Sequence, residues 1–387
     1  MVVFSRYPSD PRPRRAAKTL LREGMSVDLI CEAEEGAPKR EVSGGLEIIR
    51  IPIQHRRGGV LSYVYQYFAF TLFSAAILAW RSLRRRYDLV YVHNMPDVLV
   101  VAGLIPKWLG AKVILDQHDP MPELMKTIFG LDEKSAGVWL IRRLEKWSIA
   151  RANLVITVNA ACKRIVAARS CPPEKIGVVM NAPDDDIFPF RAAASYPDRT
   201  PGSRFVVMYH GSLVQRNGVD LLVDALAPLR NVIPGLELRV YGRSTPYFEQ
   251  VMEKVRSLDL MGCVRYMGPR TLEELVHEIE DCDVGIIPNH RNEFTNLNIP
   301  TRIFEYLALG KPVIAPSTPG ILDYFEAESL FYFDAGNVED LEQQILKVYS
   351  HPSRAMEIAA RGQEVYLKHS WPQERQTLID LVGGLFL

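Results

Sequence analysis

Residues 296–315 read NLNIPTRIFEYLALGKPVIA, a stretch that predicts a short helix running into a strand. Pro300 stands where a first helical residue is favoured, because its missing N–H would have no intrahelical partner there. Gly310 suits the position after the last helical turn, and Val313 begins an apolar run typical of a buried strand. The amides of the first turn, beginning with Thr301, would attract an anion because the helix dipole places positive partial charge there.

Glu305 is the one acidic residue of this predicted helix. A carboxylate behind an anion-binding helix start suits a nucleotide diphosphate, because amides can hold phosphate oxygens while a carboxylate accepts hydrogen bonds from ribose hydroxyls. The stretch therefore predicts a nucleotide-binding element in the second half of the chain.

Length and composition limit the class of protein. The chain has 387 residues, of which 48% are hydrophobic and 24% charged, and this favours a soluble protein of two domains. Lysine plus arginine equals aspartate plus glutamate at 46 each, so the net charge gives no support for a nucleic-acid partner. Five cysteines without CxxC or histidine-rich spacing argue against a disulfide framework and a zinc site. With no secretory apolar segment at the N-terminus, these features predict a cytoplasmic protein.

Strand-like and helix-like segments alternate along the chain, and the alternation restarts after a break. The break is the polar segment Phe190 to Ser203, FRAAASYPDRTPGS, which has no periodicity and reads as a linker. Such alternation predicts an α/β fold with a parallel sheet in each half and ligands at the carboxyl ends of the strands. We expect one domain over residues 1–195 and a second over residues 196–370.

One apolar segment, VLSYVYQYFAFTLFSAAILAW at residues 60–80, is long enough to interact with a membrane. Arg56 and Arg57 precede it, and basic residues gather between Arg81 and Arg86 after it. Its glutamine, serine, threonine and tyrosine side chains disfavour a spanning helix, because polar groups without partners are costly in hydrocarbon. Two interpretations stay open: a core helix with a solvated arginine face, or a helix over residues 60–86 that contacts an anionic membrane surface.

Motifs of several enzyme classes are absent, including GxSxG, the Walker loop, HExxH and GxGxxG. The loop HGSLVQRNG at residues 210–218 instead places Gly211 and Gly218 between a predicted strand and a predicted helix. Glycines let backbone amides approach an anion, and the guanidinium of Arg216 can bind phosphate through two hydrogen bonds. An ordinary loop with a solvated arginine accounts for these residues equally well.

The order of these segments resembles glycosyltransferase family 4. The second half carries the likeness in YHGSLVQRNGVDLLVDAL, LELRVYG, VRYMG, DCDVGIIP and NIPTRIFEYLALGKPVIAPSTPG, and the first half in YDLVYVHN, VILDQHDPMPE and LVITVNAACKRIV. The resemblance implies the GT-B fold, two Rossmann-like domains facing across a cleft, with a C-terminal helix at residues 371–387 that crosses back to the N-terminal domain. It also implies transfer of a sugar from a nucleotide-sugar with retention of anomeric configuration and without a metal.

The resemblance gives Glu305 the role of the second acid in the family's paired-acid signature, which holds the ribose. The first acid falls at Leu297, so the donor sugar contacts would pass to Asn296 and Asn298. In the 210–218 loop the family often shows an arginine and a lysine at the positions that Ser212 and Asn217 occupy here. The expected donor-binding residues are Gly211, Ser212, Arg216, Asn217, Gly242, Asn296, Asn298, Pro300, Thr301 and Glu305.

In the first half, His118 matches the family's histidine at the end of the fourth strand, near the donor sugar and the reacting centre. Asp119 follows it and is placed to orient the ring. His93 and Asn94, at the end of the neighbouring strand, are weaker candidates for contact with the acceptor. The resemblance therefore implies a catalytic group of His118, Asp119 and Arg216, with no metal and no cofactor besides the nucleotide-sugar.

Together these features predict a cytoplasmic, retaining glycosyltransferase that moves a sugar from a UDP- or GDP-sugar to a glycan or a lipid-linked acceptor. If the 60–86 helix contacts lipid, the enzyme works at the inner face of the membrane. Two alternatives remain open at this point. One is a non-catalytic GT-B protein that binds a partner enzyme or a glycan, because the first acid is missing at Leu297. The other is another GT-B enzyme, such as a sugar-nucleotide epimerase or a phosphorylase.

Overall fold

The computed structural model describes residues 1–54, 59–194 and 203–387, which form two compact units. The N-terminal unit comprises residues 1–181 and 374–387, and the C-terminal unit comprises residues 182–373. Arg56, Arg57 and most of the expected linker, residues 195–202, lie outside the described residues.

The N-terminal unit alternates strands with helices. Its strands are β1 (Val2–Arg6), β2 (Val27–Glu32), β3 (Arg40–Ser43), β4 (Leu46–Ile51), β5 (Leu89–His93), β6 (Lys112–Gln117), β7 (Leu154–Thr157) and β8 (Ile176–Val178). Its helices before residue 181 are α1 (Pro11–Arg22), α2 (Val60–Ser82), α3 (Leu104–Trp108), α4 (Met121–Phe129), α5 (Ala136–Arg151) and α6 (Ala160–Arg169). Two 3₁₀ helices, Asp97–Gly103 and Pro173–Lys175, complete the regular structure of these residues.

These strands form one sheet in the order β3-β4-β2-β1-β5-β6-β7-β8. All neighbours run parallel except β3, which pairs antiparallel with β4. The strand order reverses between β1 and β5, and ligands of open α/β sheets bind outside the carboxyl ends at such a switch point. His93, the last residue of β5, and His118, just after β6, both lie at this edge.

The C-terminal unit repeats this architecture. Its strands are β9 (Phe205–His210), β10 (Leu236–Tyr241), β11 (Val264–Gly268), β12 (Val284–Ile286), β13 (Val313–Pro316) and β14 (Phe331–Phe333). Its helices are α7 (Val219–Leu229), α8 (Pro246–Ser257), α9 (Leu272–Glu280), α10 (Thr301–Ala308), α11 (Pro319–Leu322), α12 (Val338–Ser350) and α13 (Pro352–Lys368). The sheet order is β11-β10-β9-β12-β13-β14, all parallel, and it reverses between β9 and β12. Every residue of β9 and β10 is buried, as expected for a parallel sheet covered by helices on both faces.

The α10 segment differs by one residue from its prediction. Pro300 is the residue that precedes the helix, with an extended backbone at ψ 126°, and Thr301 is the first helical residue. The carbonyl oxygen of Pro300 accepts a hydrogen bond from the Ile303 amide at 3.0 Å, so Pro300 caps the helix from outside. Gly310 has the left-handed φ of +72° predicted for the position after the helix.

The division between the units falls after Asn181, earlier than the expected boundary at residue 195. The reason is that the irregular segment from residue 182 packs within the C-terminal unit. The Arg191 amide donates to the carbonyl oxygen of Ala308 at 2.7 Å, and Gln363 Nε2 donates to the carbonyl oxygen of Arg191 at 2.6 Å. Residues 190–194, the described start of the aperiodic segment, therefore belong to the C-terminal unit.

The last helix, α14 (Trp371–Gly383), ends in the N-terminal unit, since residues 374–387 belong to that unit. Glu374 Oε2 accepts a hydrogen bond from the Met180 amide at 2.7 Å. Leu381 packs on β8 so closely that a Cβ on Gly177 would lie 2.5 Å from its Cδ1. This helix therefore packs on β8, the edge strand of the N-terminal sheet.

Helix α2 packs one side on the N-terminal sheet, where Phe70, Ser74 and Leu78 are buried. By length and composition its segment Leu61–Ser82 could cross a membrane, with a mean hydropathy of 1.3 over its most apolar window. One third of that window, 33%, is buried inside the protein. Part of α2 thus belongs to the core, as one of the two sequence interpretations requires.

Candidate active site

The loops at the carboxyl edge of the C-terminal sheet pack backbone against backbone because glycines leave room for them. A Cβ on Gly242, after β10, would lie 2.2 Å from the carbonyl oxygen of Gly211. Gly218 has a φ of +66°, and a Cβ on it would lie 1.8 Å from the carbonyl oxygen of Pro288. Both positions require glycine, so the 211–218 loop is held between the segments that follow β10 and β12.

Side chains within this loop fix its shape. The Tyr209 hydroxyl donates to the carbonyl oxygen of Ser212 at 2.9 Å, and Asn217 Nδ2 donates to the same oxygen at 2.7 Å. Asn217 therefore closes the loop, and its Nδ2 already donates to a backbone oxygen of the loop itself. Arg216 is half-buried, with its guanidinium carbon 5.7 Å from the centre of the Phe294 ring. Arg216 is thus the cation of the loop itself.

A second cation at this edge, Arg302, was not predicted. Its Nη1 donates to the carbonyl oxygen of His210 at 2.8 Å, and its guanidinium carbon lies 4.7 Å from the centre of the Tyr209 ring. A Cβ on Gly211 would approach Nη1 to 3.0 Å, so the guanidinium lies directly against the start of the loop. The second residue of α10 therefore brings positive charge to the end of β9, at the switch point of the sheet.

Glu305 lies next to a buried histidine. Its Oε2 is 3.3 Å from His210 Nε2, although the two atoms do not have hydrogen-bond geometry. Burial lowers the pKa of His210 to about 3, and the Arg302 charge adds to this effect. His210 is therefore uncharged at neutral pH and does not neutralise the carboxylate.

Asn296 offers an acceptor at the same edge. Its Oδ1 is buried and has no hydrogen-bond partner among the described residues. The Gly320 amide donates to the carbonyl oxygen of Asn296 at 2.8 Å, and a Cβ on Gly320 would lie 2.5 Å from the carbonyl oxygen of Leu297. The backbone of residues 296–297 is therefore held against α11, which orients Asn296. A buried acceptor without a protein partner suits a ligand hydroxyl.

The N-terminal unit brings two histidines together at the carboxyl ends of β5 and β6. His93 Nδ1 lies 2.8 Å from His118 Nε2, and the rings meet edge to face with centres 5.0 Å apart. His93 is fully buried, whereas the His118 side chain is partly exposed. This contact links the core of the sheet to an accessible imidazole.

A buried ion pair lies behind the histidines. Arg12 Nη2 donates to Asp116 Oδ1 at 2.6 Å, and the Tyr91 hydroxyl donates to Asp116 Oδ2 at 2.9 Å. Burial alone would raise the pKa of Asp116, but the Arg12 charge and a hydrogen bond from His93 hold the pKa below its usual value. Asp116 is therefore ionised at neutral pH, and its Oδ2 lies 3.3 Å from His93 Nδ1.

This carboxylate determines which ring nitrogens carry protons. Asp116 Oδ2 and His118 Nε2 both face His93 Nδ1, which favours a proton on His93 Nδ1. His118 Nε2 then accepts, so the uncharged His118 ring carries its proton on Nδ1. Burial lowers the pKa of His118 to about 3, and the ring stays neutral at neutral pH. His118 is assigned as a neutral hydrogen-bond donor.

Asp119, expected to orient His118, takes part through its backbone. Asn94 Nδ2 donates to the carbonyl oxygen of Asp119 at 2.9 Å, while the His118 amide donates to Asn94 Oδ1 at 2.7 Å. Asn94 thus holds both residues, and the ring partner of His118 is His93. A cavity of about 220 Å³ adjoins them, lined also by Ser5, Asp10 and Tyr67.

The ligand atoms of His93, Asp116 and His118 lie within 4.8 Å of one another, a spacing that could hold a metal ion. These three side chains are poorly suited to bind a metal ion, because the Arg12 guanidinium already binds Asp116 and would repel a second positive charge. The two ring nitrogens also lie at hydrogen-bond distance and share a proton. The geometry favours a hydrogen-bonded network.

The structure places the predicted donor-binding residues on the segments that follow β9, β10 and β12, at one edge of the C-terminal sheet. His118 and Asp119 follow β6 in the other unit. Arg302, His210 and Asp116 were not predicted. Arg302 could have been found from its place in the first turn of the expected anion-binding helix, and Asp116 from its place as an acid inside the apolar strand run VILDQ.

Comparison with known proteins covers most of the chain. Residues 10–182 match the family model described as a glycosyl transferase 4-like domain, and residues 204–351 match the model described as glycosyl transferases group 1. The probable glycosyltransferase WbjE of Pseudomonas aeruginosa is 22% identical over 302 residues, which span 77% of this chain and 73% of that protein. A D-inositol 3-phosphate glycosyltransferase of Kineococcus radiotolerans is 27% identical over 62% of this chain and 56% of its own length.

Solved structures share the architecture. Sucrose-phosphate synthase of Thermosynechococcus elongatus has a TM-score of 0.76 at 17% identity, covering 97% of this chain and 92% of that chain. HepE of Anabaena, solved with UDP-glucose, has a TM-score of 0.71 at 16% identity over 99% of both chains. Two parallel-sheet α/β units of this kind define the GT-B class of fold.

The chain belongs to the glycosyltransferase family that the 4-like and group 1 domain models describe. The resemblance to family 4, the GT-B fold and the prediction of a glycosyltransferase are thereby confirmed. A non-catalytic GT-B protein and a sugar-nucleotide epimerase or phosphorylase, the alternatives left open by the sequence, gain no support from these matches.

Proposed function

We propose that this protein transfers a sugar from a UDP- or GDP-sugar to a glycan or lipid-linked acceptor, with retention of configuration and without a metal ion. The observation that carries this proposal is the placement of Glu305, Arg302 and the 211–218 loop at the switch point of the C-terminal sheet. HepE, which shares the fold, has been solved with UDP and with UDP-glucose.

In this proposal the C-terminal unit binds the donor. Glu305 accepts hydrogen bonds from the ribose hydroxyls, and Arg216, Arg302 and the first amides of α10, at Thr301 and beyond, face the diphosphate. Asn296 Oδ1 accepts a hydrogen bond from a hydroxyl of the sugar, since this oxygen is buried without a partner among the described residues. Two arginines near the loop would replace the cations that the family often places at residues 212 and 217.

The same cations would lower the barrier of the reaction. When the bond between the anomeric carbon and the diphosphate oxygen breaks, negative charge grows on the leaving group. Arg302 is already fixed by its bond to His210, so it would stabilise that charge without reorganising. The acceptor oxygen then attacks from the face that the phosphate leaves, and its proton passes to the departing phosphate. This route has no need of a carboxylate nucleophile or a metal cation.

In the N-terminal unit, His118 would act as a neutral hydrogen-bond donor. Its proton on Nδ1 can bond to a sugar or acceptor oxygen, while the network of His93, Asp116 and Arg12 fixes the ring from behind. Asn94 and the cavity next to it are the proposed acceptor contacts of the N-terminal unit.

We place the enzyme in the cytoplasm, with peripheral membrane contact through residues 60–86. The described cysteines are all free, which fits a reducing compartment. Several large apolar side chains of α2 are exposed, which favours a lipid-linked acceptor over a freely soluble one.

A thermal-shift screen with UDP, GDP, ADP and their sugar derivatives tests the proposal. Binding to the native state raises the apparent melting temperature, so at least one diphosphate should stabilise the protein. Transfer assays would then add an acceptor, with product configuration read by NMR and with a chelator as the metal control. If no nucleotide stabilises the protein, the proposal is wrong. Turnover of the donor without any dependence on an acceptor would instead favour an epimerase or a hydrolase.

A further inference from the structure

Asp220 brings a negative charge to the loop that the proposed function assigns to the donor diphosphate. It is the second residue of α7 and follows Gly218, the last residue of the 211–218 loop, by two positions. Burial alone would raise the pKa of Asp220, but hydrogen bonds from His290 and Tyr247 lower this pKa to about 2. The carboxylate is therefore ionised at neutral pH, and its charge would oppose the binding of an anion at the loop.

Two side chains hold this carboxylate in place. His290 Nε2 lies 3.0 Å from Asp220 Oδ1 and 3.2 Å from Oδ2, and the Tyr247 hydroxyl donates to Oδ1 at 2.5 Å. The Asp220 amide donates to the Tyr247 hydroxyl in return, at 3.2 Å. Because an ionised carboxylate only accepts hydrogen bonds, His290 carries a proton on Nε2, and a second proton would go to Nδ1.

The backbone of His290 is bonded to the same loop. Its amide donates to the carbonyl oxygen of Arg216 at 3.1 Å, and its carbonyl oxygen accepts from Thr295 Oγ1 at 2.6 Å. A Cβ on Gly218 would lie 3.3 Å from the His290 nitrogen. His290, on the segment after β12, thus bonds to residues on both sides of Gly218, through its amide at Arg216 and through its ring at Asp220.

The His290–Asp220 pair can exchange a proton with solvent. The side chain of His290 is 31% exposed and that of Asp220 is 30% exposed. Histidine is the side chain that gains its charge between about pH 8 and pH 5. A neutral His290 leaves the pair negatively charged, whereas a protonated His290 leaves it without net charge. The charge beside the 211–218 loop therefore depends on the protonation of this ring.

The surroundings of His290 leave Asp220 as the partner of its ring. The other charged and titratable groups that the structure describes around it are Tyr247 of α8, Arg216 of the loop, and Arg291 and Glu293 of its own segment. Arg291 Nη2 is paired with Asp334 at 2.8 Å. His210, also at this edge, is buried and stays uncharged, because burial lowers its pKa to about 3. His210 therefore cannot compensate the charge of Asp220.

We propose that His290 is a positioning residue of the donor site, which takes up a proton from solvent when a diphosphate binds and so cancels the charge of Asp220. The anion at the loop stabilises the protonated ring, and by linkage the protonated ring raises the affinity for the anion. The ring stays in place because Asp220 and the backbone of Arg216 both hold His290. His290 has this role only if a diphosphate binds at the loop, so the inference rests on the proposed function.

Calorimetric titration with UDP and GDP, in two buffers of different ionisation enthalpy, tests the inference because the difference in heat gives the number of protons taken up. The nucleotide's own terminal phosphate also titrates, so wild type and variant are compared with the same nucleotide. At pH 6, His290→Gln should take up fewer protons than the wild type and bind about fivefold more weakly, the effect of one unit charge at short range in a solvated site. The matched control, His277→Gln at an exposed position of α9, should behave as the wild type does.

Asp220→Asn separates this role from support of the fold. It removes the charge that His290 cancels, so at pH 8 it should bind the nucleotide about fivefold more tightly than the wild type does. Its control is Asp224→Asn, since Asp224 lies on the same helix and pairs with Lys254 at 2.5 Å, away from His290. This control should bind the nucleotide with wild-type affinity.

Two results would overturn the inference and leave the proposed function standing. One is equal proton uptake by the wild type and His290→Gln, and the other is weaker nucleotide binding by Asp220→Asn at both pH 6 and pH 8. If neither UDP nor GDP binds the wild type, the proposed function and the role of His290 both fail.

Discussion

Arg302 Nη1 donates a hydrogen bond to the carbonyl oxygen of His210 at 2.8 Å, which ties the second residue of α10 to the last residue of β9. The guanidinium also stacks on the Tyr209 ring and lies against Gly211. It is therefore a fixed cation at the start of the 211–218 loop, and little conformational freedom remains to be lost when an anion binds.

Arg302→Ala should weaken binding of the preferred nucleoside diphosphate by about tenfold to a hundredfold, the usual worth of a hydrogen bond to a charged group. Binding of the corresponding nucleoside should change much less, because it has no phosphate. Isothermal titration calorimetry measures both. Arg291→Ala is the control, since Arg291 is an exposed arginine of the same unit paired with Asp334. If Arg302→Ala binds the diphosphate as tightly as the wild type does, Arg302 is not part of the diphosphate site.

Gly218→Ala should disturb the donor site through sterics. The added Cβ would lie 1.8 Å from the carbonyl oxygen of Pro288, so the loop must move as well as accept a left-handed φ. Gly336→Ala supplies the matched control, because its φ is +93° and nothing lies within 4 Å of its Cβ position. We expect Gly336→Ala to lose about 1 to 2 kcal/mol of stability through backbone strain alone.

Gly218→Ala should lose more stability than this control and should also lose nucleotide affinity. Differential scanning calorimetry and nucleotide titration measure the two effects. Equal behaviour of the two variants would show that the loop contact has no role.

Asp116→Asn should destabilise the N-terminal unit by about 3 to 5 kcal/mol, because it leaves the buried Arg12 guanidinium without a counter-charge. Glu133→Gln is the matched control, since Glu133 also faces two cations, Lys126 and Arg142, but is half exposed. Glu133→Gln should lower the free energy of unfolding by no more than about 1 kcal/mol. Urea unfolding followed by fluorescence compares the two variants. Similar losses of unfolding free energy in both would mean that the buried Arg12–Asp116 pair is not needed for stability.

The C-terminal unit should lose stability in acid because of His210. Its pKa is lowered from 6.5 to about 3 in the folded protein, so below pH 6.5 the unfolded chain binds a proton that the native state does not. The expected loss is up to about 1.4 kcal/mol per pH unit in this window. His210→Gln should reduce the fall in melting temperature between about pH 7 and pH 5, whereas replacement of the exposed His277 should not.

The N-terminal unit should respond less in the same window. The pKa of His118 is also lowered to about 3, but burial raises the pKa of Asp97 to about 7 from 3.8. The native state then holds a proton on Asp97 that the unfolded chain has released, so this group adds stability as the pH falls from 7. The two contributions oppose each other. A steeper acid response of the N-terminal unit than of the C-terminal unit would contradict this account.

Local rules predicted the α10 region well. Gly310 has the expected left-handed backbone, and β13 follows it as Val313–Pro316, because both depend on residues close in sequence. Pro300 is displaced by one position, to the residue before the helix, since neither that residue nor the first helical residue donates an intrahelical hydrogen bond from its amide. Helix α4, Met121–Phe129, was missed because Pro120 and Pro122 resemble a turn, although proline is compatible with a first helical turn.

The apolar periodicity of residues 98–109 predicts a single helix, but the structure has a 3₁₀ helix, Asp97–Gly103, followed by α3, Leu104–Trp108. Pro106 explains the division, because proline is favoured in the first turn of a new helix but interrupts a continuing one. Apolar periodicity alone could not distinguish a single helix from two shorter ones.

Contacts between distant residues could not be predicted. Arg302 and His210 are 92 residues apart, and Arg12 and Asp116 are 104 apart, so no local pattern pairs them. The sequence predicted the strand ends after which Gly211, Gly242 and His118 lie, but it could not predict which buried groups pack behind them.

Calorimetric titration of UDP and GDP, and of their 2′-deoxy and 3′-deoxy forms, tests whether Glu305 binds the ribose of the donor, with Glu305→Gln measured beside the wild type. One diphosphate should bind the wild type and lose about tenfold to a hundredfold in affinity when a ribose hydroxyl is removed. Glu305→Gln should bind the intact and deoxy forms nearly alike, whereas Glu249→Gln, an exposed acid of α8, should discriminate as the wild type does. If no nucleotide binds, or if Glu305→Gln still discriminates against the deoxy forms as the wild type does, Glu305 does not hold the ribose of a nucleotide donor.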